Sequence, residues 1–296
     1  MDLSFSARQR RLLCALLAAG CITASAAAQN QGSGPGPAGP VVASAGSGAA
    51  APDTNAALLA KASSLYYSSA RTGLKGFDCA VHPEWRTLIL SSAPGSAVAD
   101  DSPDIQLLKS VNITLHGRLN GSSSLDWNVA ADPAKPLDKD STTLLDQMHQ
   151  GTERTLTGFM QFWSPFVDGS VIPASPEGIE MTNTEKGHTL HADQGGTSLT
   201  EVLDNELVMQ QFNVVVGGAK INFSPRYKPT DQGLLVNAFL AHIQAASASA
   251  AEAEEMHVEI DYQTLGGFPV PSKIEMQISG QGKFNFALDG CKVNPL

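Results

Sequence analysis

From Met256 to Leu288 apolar and polar residues alternate through three successive runs, and a period of two restricts this stretch to half-buried β-strands. Met256, Val258, Ile260 and Tyr262 share one face, with His257, Glu259 and Asp261 on the other. Ile274, Met276 and Ile278 oppose Glu275, Gln277 and Ser279; Phe284, Phe286 and Leu288 oppose Asn285, Ala287 and Asp289. Gly266-Gly267, followed by Pro269 and Pro271, marks one turn, and Gly280-Gln281-Gly282 marks the next. Three such strands make an antiparallel sheet with one wet face and one apolar face that something must cover.

The same period recurs upstream. Phe77, Cys79 and Val81 alternate with polar or small neighbours, as do Val111, Ile113 and Leu115. Asn120-Gly121 then turns the chain into a return strand through Leu125, Trp127 and Val129. Further strands are expected at 179–182, 188–192 and 199–223, the last broken at Gly217-Gly218. Residues 234–243 suit a helix or a buried strand, and we read them as a strand with a long loop at 245–255.

Two segments have helical spacing instead. Leu58, Leu59, Ala62, Leu65 and Tyr66 follow the N-cap candidates Asp53-Thr54, and Gly73 suits the end of that helix. Leu144, Leu145, Met148, Leu156, Phe159, Met160 and Trp163 form one broad face, widened by Phe162 and Phe166 and ended by Pro165.

The N-terminus reads as an export signal. Arg8, Arg10 and Arg11 precede the apolar run 12–19, which is too short to span a bilayer. Two processing sites fit: cleavage after Ala28 removes residues 1–28, while Leu17-Ala18-Ala19-Gly20-Cys21 is similar to a lipobox with lipidation at Cys21. Residues 29–54 are a flexible Gly/Pro/Ala/Ser linker, and 55–296 a single β-rich domain. The expected location is therefore outside the cytoplasm: periplasmic or tethered to the outer membrane, otherwise secreted. No transmembrane helix is expected in the mature chain.

Removing residues 1–28 takes away three arginines and one aspartate, leaving 16 basic against 28 acidic residues. So acidic a chain, without a Lys/Arg cluster, is a poor partner for nucleic acid. Cys79 and Cys291 are then the remaining cysteines and are expected to pair in an exported protein. A fully open meander would hold its first and last strands too far apart for that bond. The pairing therefore requires either that curvature brings the ends together or that the two strands pair directly.

No motif of chemistry stands out: we find no HExxH, CxxC, GxSxG or SxxK. His188 and His191 fall on opposite faces of a strand, and Asp138-Lys139-Asp140 lacks the glycine and glutamate of a calcium loop. His257, Glu259 and Asp261 share a face, the ordinary condition of a half-exposed strand. The reading assigns no catalytic residue, metal or cofactor, and takes the protein as non-enzymatic.

The order of elements, with the closing segment Asp261-Tyr262, Gly267, Pro271 and the strand Phe286–Asn294, resembles the LolA-like half-barrels. This is the outer-membrane lipoprotein-carrier group with its mycobacterial lipid-binding relatives. The resemblance implies an α+β fold in which a strongly curved antiparallel sheet, of about 8–11 strands, holds two main helices on its concave face. It also implies a non-enzymatic carrier whose apolar cavity takes a lipid or lipoprotein acyl chain. The chain departs from that pattern in its disulfide and in the longer 245–255 loop. Two readings of the helix aromatics stay open: they fill the core, or they line and gate an apolar pocket near Pro165. On the second, the ligand meets Phe159, Met160, Phe162, Trp163 and Phe166 from the helix and Met276, Phe284 and Phe286 from the sheet. The other functional classes are an envelope scaffold with a filled core, and an enzyme with an unrecognised site.

Overall fold

A computed structural model describes residues 54–92, 99–130, 137–169, 171–172, 176–194, 196–246 and 253–295. The export signal, both processing sites and all but the last residue of the expected linker lie outside the described residues.

The first elements are helices α1 (Thr54–Leu65) and α2 (Ser69–Thr72), strand β1 (Leu74–Pro83), and helices α3 (Trp85–Ser92) and α4 (Pro103–Lys109). Strands β2 (Val111–Arg118) and β3 (Ser123–Val129) precede the long helix α5 (Lys139–Trp163), which ends in a 3-10 turn at Ser164–Phe166. The rest is strand: β4 (Glu180–Thr184), β5 (Gly187–Gln194), β6 (Thr197–Leu203), β7 (Met209–Val216), β8 (Ala219–Thr230), β9 (Gly233–Gln244), β10 (Glu254–Leu265), β11 (Phe268–Ile278) and β12 (Gly282–Pro295).

All 12 strands join one open antiparallel sheet in the order β3-β2-β1-β12-β11-β10-β9-β8-β7-β6-β5-β4. Its free edges are β3 and β4. The first and last strands are neighbours inside the sheet, paired from Leu74↔Pro295 to Pro83↔Phe286. This settles how Cys79 reaches Cys291: the two lie across a bulge in that ladder, with Cα atoms 4.1 Å apart, and form a disulfide. Direct pairing, rather than edge meeting edge, brings them together.

Two expectations need correction. Among the described residues the sheet has 12 strands instead of 8–11, because residues 199–223 are cut a second time beside the expected break. The expected cut is the Gly217-Gly218 hairpin, where both glycines take positive φ as a tight turn between twisted strands requires. The other is a turn at 204–208, where the Asp204 carboxylate accepts from the backbone of Glu206 and Val208 and holds Leu207 at φ 68°. The described residues also form three short helices, α2, α3 and α4, that the sequence did not announce beside the two main ones, α1 and α5. The N-terminal helix breaks at Tyr66, which makes a parallel bridge to Leu234, and two short helices lie at Trp85–Ser92 and Pro103–Lys109.

Helix α5 begins where Asp138 Oδ1 accepts from the Ser141 N–H at 2.7 Å. This explains the failed calcium loop, since Asp138 is a helix cap. The buried face of α5, Leu145, Met148, Thr152, Leu156, Phe159, Met160 and Trp163, repeats every three to four residues. Among the described residues no helix is long and apolar enough to cross a membrane.

Candidate functional site

The structure places the aromatic set of α5 in contact with one face of the sheet. Trp163 stacks on Phe159 with ring centroids 5.8 Å apart and meets Phe77 of β1 edge-on at 6.0 Å. Its indole N–H donates to the Tyr262 hydroxyl at 2.8 Å, and that hydroxyl donates to the Val236 carbonyl at 2.6 Å. Phe162 packs edge-on against Phe223, while Phe166, carried by the 3-10 turn, touches Phe212, Phe223 and Phe239. Of the eight residues nominated from sequence, Phe159, Met160, Phe162, Trp163, Phe166, Met276 and Phe286 are at most 5% exposed, and Phe284 is half-buried. All belong to one continuous hydrophobic cluster.

Within this apolar face sits a residue that sequence reasoning passed over. Pairing across the sheet aligns Met181, Leu190, Glu201, Phe212, Phe223 and Ala241 in one row from β4 to β9. Glu201 is the single charged side-chain type in that row, is 5% exposed, and its Oε2 has no hydrogen-bond partner. Burial pushes its carboxyl from the ordinary 4.5 up to about 8, so the acid is protonated and neutral at pH 7. The nearby phenols do not relieve it. The Tyr66 hydroxyl donates to the Leu207 carbonyl and accepts from the Met209 N–H, and the Tyr227 hydroxyl is directed at Met209 Sδ. The Thr152 hydroxyl on α5 is likewise buried without a partner. The signal for Glu201 was present in sequence, because it falls between Leu199 and Leu203 on the strand's apolar face.

The other face carries the polar networks. His116 on β2 holds Asp78 through Nδ1 at 2.8 Å and Asp126 through Nε2 at 3.1 Å. Those two hydrogen bonds raise its pKa and engage both ring nitrogens. Burial pushes the Asp78 carboxyl up, but hydrogen bonds from Asn294, His116 and Arg118 outweigh it and hold the pKa at about 2. The His257 and Glu259 stripe is bridged by Arg226, at 3.1 and 3.3 Å. His191, on this face, bonds Thr200, while His188, on the opposite side of the same strand, bonds Asn183. Among the described residues no group of three His, Cys, Asp or Glu is placed to hold a metal ion.

A cleft of about 290 Å³ opens between β1, α3 and α4, lined by His82, Glu84, Trp85, Arg86, Asp100 and Lys109 among others. Its charges are mixed, and none of the eight nominated residues lines it. No family model matches the chain, and no curated protein matches it.

Proposed function

We propose that the protein is an exported, non-enzymatic binder or carrier of a hydrophobic ligand, a lipid or acyl chain, built on a LolA-like half-barrel. The observation that carries the reading is the polar orphan within the apolar interior: Glu201 Oε2, buried and unpartnered in a row of Leu, Phe and Met side chains. Buried polar groups in native cores are nearly always satisfied, and the exceptions call for an occupant or a role.

The half-barrel itself has support in contact geometry. From Met160 to Phe166 the chain advances roughly 9–10 Å. Yet this segment reaches Gly117 of β2 and Phe212 of β7, which lie seven strand positions apart. Laid flat, those strands would span about 34 Å. A sheet curled around the end of α5 brings both within reach, which supports a helix on the concave side.

A scaffold with a filled core is the second reading, favoured by the tight mutual packing of Phe159, Phe162, Trp163 and Phe166. Titration of the purified chain with the neutral dye N-phenylnaphthylamine separates the two. Saturable binding with a blue-shifted emission, reversed by a monoacylglycerol, is expected for the carrier; no binding leaves the scaffold.

A further inference from the structure

Glu201 lies two strands in from the free edge β4, beside Phe212, which Phe166 of the 3-10 turn touches. Along its strand the side chains on the same face are Leu199 and Leu203, and across it Leu190 and Phe212. The nearby phenols have no donor proton to spare, since the Tyr66 hydroxyl donates to the Leu207 carbonyl and the Tyr227 hydroxyl to Met209 Sδ. The number of hydrogen bonds on offer limits what can sit there. An ammonium would have to form an ion pair buried among Leu and Phe side chains, where the cost of desolvating both charges offsets their attraction. A carboxylate would add a second acid to a water-poor site. An ester or amide carbonyl needs a single donor, which a carboxylic acid supplies.

We propose that Glu201 is the specificity-determining residue of the apolar site, donating its carboxyl O–H to the carbonyl of a neutral acyl ester or amide whose chain lies along the concave face. The proposal rests on the apolar-ligand reading above and adds to it the head-group chemistry. The half-buried Met181 on β4 marks the edge from which such a group enters the row.

The test uses the mature chain with its disulfide intact. Hexadecane, methyl hexadecanoate, hexadecylamine and hexadecanoic acid compete with N-phenylnaphthylamine for wild type, E201Q and E201M. E201M removes the donor and is expected to weaken the methyl ester about tenfold, the worth of one buried hydrogen bond, and to leave the alkane within about twofold. E201Q keeps an N–H donor and is expected to hold ester affinity within about threefold of wild type. The proposal is overturned if E201M binds the ester as wild type does, if it weakens ester and alkane alike, if E201Q falls as far as E201M, or if wild type prefers the amine or the acid. Dye binding that persists through any of these results leaves the apolar-ligand reading standing, whereas a wild type that binds no dye overturns both.

Discussion

Glu201 gives the stability of this protein a pH dependence that one substitution should remove. In the unfolded chain its carboxyl ionises near the ordinary 4.5; in the folded protein burial holds the proton until about 8. Between those values the folded state binds more protons than the unfolded one, so stability is full below 4.5 and is lost as pH rises through 8. Each pH unit inside the window removes up to about 1.4 kcal/mol, which amounts to about 3 kcal/mol from pH 5 to pH 7.5. His116 loses its own contribution over part of the same range, because its folded pKa is raised by Asp78 and Asp126. The comparison must therefore be between wild type and E201Q, which shares every group but this one. Urea unfolding of both, at about pH 5 and about pH 7.5, should show E201Q gaining about 3 kcal/mol on wild type across the interval. Two curves that stay parallel would refute the buried, unpartnered acid.

Two further outcomes follow from the sheet. Reducing Cys79–Cys291, which spans a sequence separation of 212, should lower stability by about 5 kcal/mol on chain-entropy grounds. Equal urea midpoints with and without reductant would contradict it. Asp78→Asn should lower the His116 pKa, because the strongest of its raising contacts is lost, and NMR titration of the imidazole reads this directly. An unmoved titration would show that Asp126 alone sets the charge.

Much of this architecture was written in local pattern. Strands β2, β3, β10, β11 and β12 each have one wet face, so their alternation could be read residue by residue, and α5 is long enough to show its stripe. What escaped was either too short or too distant. Helices α3 and α4 offer only the pairs Trp85/Leu88 and Ile105/Leu108, one spacing each, which is too little for a period. The pairing of β1 with β12 joins chain ends that no local pattern relates. The same holds for the site. Period two places Glu201 on the apolar face, but that its neighbours are Leu190 and Phe212 depends on register with two other strands. The aromatics were found because they cluster in sequence; the acid was missed because its neighbours cluster only in space.

The central claim, that the concave face takes an apolar ligand, is tested most directly by mass spectrometry of organic extracts of mature protein purified from its native host. An acyl lipid with an ester or amide carbonyl is expected to co-purify, approaching one molecule per chain. Extracts indistinguishable from a mock purification, with no dye bound by the same preparation, would contradict it and leave a filled-core scaffold.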